Sequence, residues 1–301
     1  MYLASIDIGS NAARLLISSI HYNEKKQPVF SKANLVRVPL RLGMDVFAKG
    51  VISDERKHML VHTMHAYRHI LDAYGVKYLK ACATSAMRDA ANAREIIQQV
   101  RKETRIDIEV ISGQQEATYI QANHTAEEMS KDNSYLYIDV GGGSTEITAF
   151  YRGKQTFRQS FDIGTIRLMQ NSVASTTWEY MKTSLKTKLK TNGNMVAIGS
   201  GGNINKIASM AKVKTGQPLS IGTLTNYYNQ LDRLSVAERI VNFKMREDRA
   251  DVIVPALDIY INAMKWAGIK SIYIPQIGLV DGLIKYLFED LKKNNLLPKI
   301  L

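Results

Sequence analysis

Asp7 and Asp139 each end an apolar run in the pattern Asp-x-Gly, 132 residues apart. The first run reads Ile6-Asp7-Ile8-Gly9-Ser10-Asn11. The second reads Ile138-Asp139-Val140-Gly141-Gly142-Gly143-Ser144-Thr145-Glu146. Turns this small and this rich in glycine and hydroxyls offer several backbone N–H groups to an anion. Glu146 lies seven residues beyond Asp139, across the turn, so the next strand can bring it close. A carboxylate pair beside phosphate oxygens suits Mg²⁺ or Mn²⁺, hard cations that take oxygen ligands. The plainer alternative for Glu146 is an edge-strand acid in a surface pair. Two such hairpins, one per half of the chain, point to a duplicated domain and to phosphoryl chemistry.

A third glycine-rich turn, Gly199-Ser200-Gly201-Gly202-Asn203, follows a short apolar run and precedes a helical pattern. A helix N-terminus there would add partial positive charge. It is no dinucleotide fingerprint, because Ile204 stands where a glycine is needed, and no P-loop sequence occurs anywhere. An Asp-x-Asp nucleophile pattern is absent as well, since Asp7 is followed by Ile8-Gly9. Arg88, in Ala83-Thr84-Ser85-Ala86-Met87-Arg88-Asp89, falls at a strand-to-helix junction. It could clamp a phosphate bidentately or form a salt bridge to Asp89 or a helix carboxylate. Glu116, in Ile111-Ser112-Gly113-Gln114-Gln115-Glu116-Ala117, opens another helix, where a glutamate ordinarily complements the dipole.

The elements that must position these residues alternate. Each half opens on a strand–turn–strand unit: residues 2–8, 12–20 and 28–38 in the first, and 134–140, 144–151 and 154–163 in the second, with a hairpin turn at Gly153. A basic connection through Arg37, Arg41 and Gly43 leads to a helix at 53–74 with Met59, Leu60, Met64, Tyr67, Leu71 and Tyr74 on one face. A strand at 76–83, a helix at 89–104, a strand at 106–111 and a helix at about 114–129 complete the first half. In the second half, helices are predicted at about 165–171 and 177–191, a strand at 195–198, a capping box at Ser235 to Glu238, a strand at 271–275 and a closing helix at 279–293. Strands alternating with helices after an opening meander define an α/β chain.

Composition narrows the class. The chain has 301 residues, enough for two domains, and 45% of them are hydrophobic. Forty Lys and Arg against 28 Asp and Glu give a net charge of +12, which favours anionic partners without choosing among nucleic acid, acidic membrane, nucleotides and polyphosphate. One cysteine, Cys82, excludes an intramolecular disulfide, and no signal or membrane-spanning run is present. A cytoplasmic setting is expected, with neither a membrane nor a specific nucleic-acid partner.

Six ordered motifs resemble those of the exopolyphosphatase / guanosine pentaphosphate phosphatase family: residues 7–11, 83–88, 111–117, 139–146, 199–203 and Arg249-Ala250-Asp251-Val252. The resemblance is collinear from residue 2 to about 290. It implies two duplicated actin-like ATPase (ribonuclease H-like) α/β domains with an interdomain cleft, residues 1–120 plus about 285–301 and residues 121–284. By the same resemblance, Glu116 orients or deprotonates the attacking water and Arg88 contacts phosphate. Asp139 and Glu146 hold the metal, with Gly9, Ser10, Asn11, Gly141, Gly142, Gly143, Ser144 and Thr145 in the phosphate loops. Asp7 and the segment Gly199, Ser200, Gly201, Gly202 and Asn203 are added as phosphate-binding candidates. The chain departs from the family pattern at Ala12-Ala13-Arg14, at Gln115 and at Val280-Asp281. It carries no His-Asp dipeptide and stops at 301, as expected of a short form without the additional helical region.

The resemblance implies hydrolysis of terminal phosphoanhydrides of inorganic polyphosphate, with guanosine pentaphosphate as the rival substrate. A polyphosphate or alarmone sensor without turnover, and an ATP-using kinase, are rivals of other classes. A homodimer is a possible assembly. Outside these motifs, His58, His62, His65 and His69 cluster within about 60° on one helix face, a solvated stripe or a Zn²⁺/Ni²⁺ pair. Lys182, Lys186 and Lys190 form a solvated face or a polyanion track, and Cys82 reads as a small buried hydrophobe.

Overall fold

The computed structural model describes residues 1–122, 134–189, 195–214, 216–275 and 277–297. The chain divides into two compact units, Met1–Asn123 with Gly278–Leu301, and His124–Ile277.

The first unit runs β1 (Tyr2–Ile8), β2 (Ala13–Tyr22), β3 (Pro28–Val38), α1 (Leu42–Lys49), α2 (Asp54–Ala73), β4 (Tyr78–Ala83), α3 (Ser85–Asp89), α4 (Ala93–Thr104), β5 (Ile108–Val110) and α5 (Gly113–Gln121); the closing helix Leu279–Lys293 returns to it. Its sheet has the order β3-β2-β1-β4-β5, antiparallel across the meander and parallel from β1 outward through β4 to β5. Both faces of the sheet are covered, which is why its central strands are nearly continuous apolar runs. On β1, Ala4, Ile6 and Ile8 meet Leu60, Met64, Tyr67, Leu71, Ile96 and Val100. Leu3, on the opposite face, joins Val280, Ile284, Phe288 and Leu291 of the closing helix.

The second unit runs β6 (Ser134–Val140), β7 (Thr145–Tyr151), β8 (Lys154–Phe161), α6 (Thr165–Met169), α7 (Ser175–Lys188), β9 (Met195–Ser200), α8 (Gly202–Met210), β10 (Leu219–Ser220), α9 (Ile221–Asp232), α10 (Val236–Phe243), α11 (Glu247–Ala250), α12 (Ile253–Trp266) and β11 (Ser271–Tyr273). Its strand order is β10-β11-β9-β6-β7-β8. Strands β8, β7, β6, β9 and β11 repeat the order and directions of β3, β2, β1, β4 and β5, so the sheet is a second copy with one extra edge strand. Leu136, Ile138 and Val140 face a core centred on α12, whose Leu257, Ile261 and Met264 are buried.

Several expectations need correction. The basic connection expected through Arg37, Arg41 and Gly43 runs into a helix that was not predicted, α1 at residues 42–49. The helix predicted at 89–104 starts later, at Ala93, after a separate short helix that ends at Asp89: Ala90 turns to an extended conformation and Asn92 pins Ile52 through both its carboxamide atoms. Met59 is 37% exposed, and Val61 takes its place in the core. Helices α9 and α12 were not foreseen. Residues 123–129 of the predicted helix at 114–129 lie outside the described residues, as does Lys190.

Candidate active site

In both units the Asp-x-Gly run enters a tight turn closed the same way. Gly9 N–H donates to Ala12 O at 3.1 Å, and Gly141 N–H donates to Ser144 O at 2.9 Å. Each loop then docks its carbonyls on the start of the helix that follows the third strand of its meander. In the first unit Arg41 N–H and Gly43 N–H donate to Asn11 O and Ser10 O, both at 2.9 Å. In the second, Thr165 N–H and Ile166 N–H donate to Gly141 O and Gly142 O at 3.0 and 2.8 Å. The Arg167 guanidinium takes up Gly143 O at 2.8 Å. With the carbonyls so held, the backbone N–H groups of Gly142, Gly143 and Ser144 have no acceptor among the described residues. Such an arrangement favours an anion. Gly164 is what allows it: a Cβ there would lie 2.4 Å from Gly142 O and from Gly143 N.

The hydroxyls put forward as phosphate ligands have hydrogen-bond partners within the protein. Ser10 Oγ pairs with Ser85 Oγ at 2.8 Å and accepts from Ala86 N–H. Thr145 Oγ1 donates to Ile163 O, Ser144 Oγ to Glu146 Oε1 at 2.8 Å and Ser200 Oγ to Asp139 Oδ1 at 2.5 Å.

Asp139 and Glu146 are direct cross-strand partners on one face of the second sheet. Their carboxylate oxygens approach within 4.8 Å. Two like charges at this separation repel by roughly 3–4 kcal/mol at an effective dielectric of 20. Ser144 and Ser160 both donate to Glu146 Oε1 at 2.8 Å and offset part of that cost. An all-oxygen donor set with hydroxyl support fits a hard divalent cation.

Behind Asp139, Gly201 takes φ of +116°, and a Cβ on it would lie 3.2 Å from Val140 O. Arg249, from the last of the six motifs, donates to Gly202 O. Tyr260 of α12 donates its hydroxyl to Ser200 O. Asn203 is half-buried in the first turn of α8.

In the first unit, Asp7 is the register counterpart of Asp139, but Arg14 stands opposite it and donates to Asp7 Oδ2 at 2.6 Å. Burial raises the Asp7 pKa, and Arg14 opposes that rise. Arg88 Nη1 donates to Ile111 O at 2.8 Å and to Glu116 Oε2 at 3.4 Å, so of its two expected roles the helix-carboxylate pair is present. Glu116 is buried in the first turn of α5. Gln115 closes that helix's capping box, its Oε1 accepting from Ser112 N–H and Oγ, a task its amide performs as well as a carboxylate would. Sequence reasoning missed Ser160, Arg167, Gly164 and Tyr260.

The remaining candidates resolve plainly. His58, His62 and His69 are exposed, and His65 bonds Glu103. Lys182 pairs with Glu179. Cys82 is buried, and burial pushes its thiol up to about 12.

Two copies of a five-stranded ribonuclease H-like sheet, each with an acid at the end of its first strand and a hairpin loop beside it, define an α/β protein of the actin-like ATPase fold. Comparison with known proteins gives the family. The Ppx/GppA phosphatase family matches residues 23–290, and the chain belongs to it. It is by that membership a phosphoanhydride hydrolase. Exopolyphosphatase 1 of Mycobacterium tuberculosis is 24% identical over 306 residues, covering 94% of this chain and 87% of that protein. A bifunctional 3-dehydroquinate synthase/phosphatase of Fusobacterium nucleatum is 33% identical over 175 residues, 56% of this chain. The matched region spans about a quarter of that larger relative, 26%. Among solved structures, an Aquifex aeolicus member of the Ppx/GppA family aligns with a TM-score of 0.76 at 25% identity, over 98% of this chain and 99% of that one. An exopolyphosphatase from Cytophaga hutchinsonii aligns with a TM-score of 0.78 at 24% identity, over 96% and 98%. No helix among the described residues is long and apolar enough to cross a membrane.

Proposed function

We propose that the chain hydrolyses the terminal phosphoanhydride bond of inorganic polyphosphate and releases orthophosphate. One observation carries the reading. A cross-strand carboxylate pair, Asp139 and Glu146, flanks a loop whose carbonyls are held inward and whose N–H groups have no acceptor among the described residues. Cation ligands beside anion donors suit a phosphate chain. The mycobacterial relatives named exopolyphosphatases, matched over most of their length, support polyphosphate as the substrate.

Asp139 and Glu146 hold Mg²⁺ or Mn²⁺. When bound, the ion offsets charge on the scissile phosphate. The N–H groups of Gly142, Gly143 and Ser144 bind its oxygens, and the Gly9–Asn11 and Gly199–Asn203 segments serve neighbouring phosphates. Arg88 contacts phosphate and orients Glu116. Glu116 aligns a water for in-line attack and takes its proton as the bridging P–O bond breaks; that proton leaves with the products. A cytoplasmic setting and a homodimer belong to the same proposal, and gel filtration tests the dimer.

Phosphate release from polyphosphate and from guanosine pentaphosphate, with and without Mg²⁺, tests the substrate. Faster release from polyphosphate is expected; release from the nucleotide alone would replace polyphosphate as the substrate. Glu116→Gln should retain polyphosphate binding and lose roughly 10²–10⁴-fold in turnover. Unchanged turnover would remove Glu116 from the reaction.

A further inference from the structure

Tyr260 sits on α12, the most buried helix of the second unit, and is 1% exposed. An aromatic side chain in such a core could be there for packing alone. Its hydroxyl, however, donates to Ser200 O at the end of β9. Strands β6 and β9 are parallel neighbours, with Asp139 directly paired to Ser200. One phenol therefore anchors the end of β9, from which the third glycine-rich loop emerges beside Asp139. From the strand end that it fixes, Ser200 Oγ donates to Asp139 Oδ1 at 2.5 Å.

Space around this contact is closed. A Cβ at position 201 would lie 3.5 Å from Asp139 Oδ1 and 3.6 Å from the Tyr260 hydroxyl, so the main chain there is packed against both groups. The phenol is also held neutral: burial, then the nearby Asp139 charge, raise its pKa well above the ordinary tyrosine value.

We propose that Tyr260 is a positioning residue for Asp139, acting through Ser200 to set the carboxylate in the orientation that receives a divalent cation opposite Glu146. This rests on the reading of Asp139 as a cation ligand. Nothing in the sequence motifs points to Tyr260, which lies outside all six. The relation is that of an outer partner which orients a ligand without touching the ion, and removing such partners characteristically costs about 10–100-fold in metal affinity.

The experiment is direct Mn²⁺ binding to the full-length protein in the absence of substrate, by titration calorimetry or by the signal of free Mn²⁺, for wild type, Tyr260→Phe, Ser200→Ala, the double variant and Asp139→Asn. Tyr260→Phe keeps the ring and removes only the hydroxyl. It should weaken Mn²⁺ binding by roughly 10-fold. Ser200→Ala should do the same, and the double variant should be no weaker than either single one, because both act through one chain of contacts. If Tyr260→Phe does not fold, Ser200→Ala carries the test, since the tyrosine and its packing stay intact. Wild-type Mn²⁺ affinity in the folded variants, or losses that add in the double one, would overturn the proposal and leave Tyr260 a packing residue. Asp139→Asn separates the two levels: unchanged Mn²⁺ binding there would sink the reading of Asp139 itself. Lost binding in Asp139→Asn with wild-type binding in Tyr260→Phe would sink only the positioning role.

Discussion

Arg14 occupies, opposite Asp7, the register position that Glu146 occupies opposite Asp139. The two units share their sheet order and the closure of their first turn, yet this one position carries opposite charge. The duplicated acids therefore face partners of opposite charge. Asp139 faces a second carboxylate and is suited to a cation. Asp7 is neutralised inside its own unit by a guanidinium 2.6 Å away.

This pairing predicts a pH-dependent stability defect. Asp7 is almost fully buried, and its pKa is raised by burial with Arg14 as the opposing influence. Arg14→Ala removes that opposition, so the folded-state pKa rises further above the unfolded value. The folded protein then binds the proton more tightly than the unfolded chain, and stability falls as pH rises through the folded pKa. The variant should be less stable by about 1–3 kcal/mol near neutral pH, a range reduced because Arg14 is partly exposed, and closer to wild type near pH 4. Thermal melts at pH 4.5 and pH 8 measure it. Asp7→Asn in the Arg14→Ala background should restore stability and flatten the pH profile. A defect of equal size at both pH values would mean that Arg14 acts through packing alone.

The approach of Gly164 to the second loop yields a kinetic prediction. A methyl group there would meet main-chain atoms of Gly142 and Gly143 at 2.4 Å, and backbone cannot swing aside as a side chain can. Gly164→Ala must push the loop outward or break its bonds to Thr165 and Ile166. Displacing catalytic groups by about 1 Å can cost on the order of 10²-fold. Phosphate release should therefore drop at least about 10-fold, with a smaller effect in the circular-dichroism melt. Wild-type turnover would show that the loop tolerates displacement.

The sequence carried the parts of this site that are local and hid those that are not. The Asp-x-Gly hairpins could be read because a four-residue turn between apolar runs has few conformations, and seven residues bring Glu146 back to Asp139. Ser160 could not be placed by the same counting. From the turn that pairs Tyr151 with Lys154, a regular hairpin would set Gln159 opposite Glu146. A register shift between Ala149 and Phe150 puts Ser160 there instead, and with it a hydroxyl on the carboxylate. Helix α1 was missed because eight residues beginning Leu42-Gly43 carry too little periodicity, although its first turn holds the carbonyls of the first loop. Tyr260 had no local signal, since α12 is apolar on nearly all sides and its one functional atom is recognisable only from what it touches. Neither Gly9 nor Gly141 takes a positive φ.

The Asp139–Glu146 pair predicts a stability difference that changes sign with the metal. Without a cation, two carboxylates opposite each other repel, and Glu146→Gln removes one charge while its amide oxygen can still accept from Ser144 and Ser160. In the presence of chelator, Glu146→Gln should therefore melt at or above the wild-type temperature. Adding Mn²⁺ or Mg²⁺ should raise the wild-type Tm, since ligand at about 100 times its Kd stabilises by about 2.7 kcal/mol. The variant should lose most of that gain, because an amide oxygen replaces a charged ligand. Paired melts of the two proteins in chelator and in millimolar Mn²⁺ decide the matter. A variant that is less stable than wild type in chelator, and equally stabilised by the ion, would show that Glu146 serves the fold and contributes nothing to cation binding.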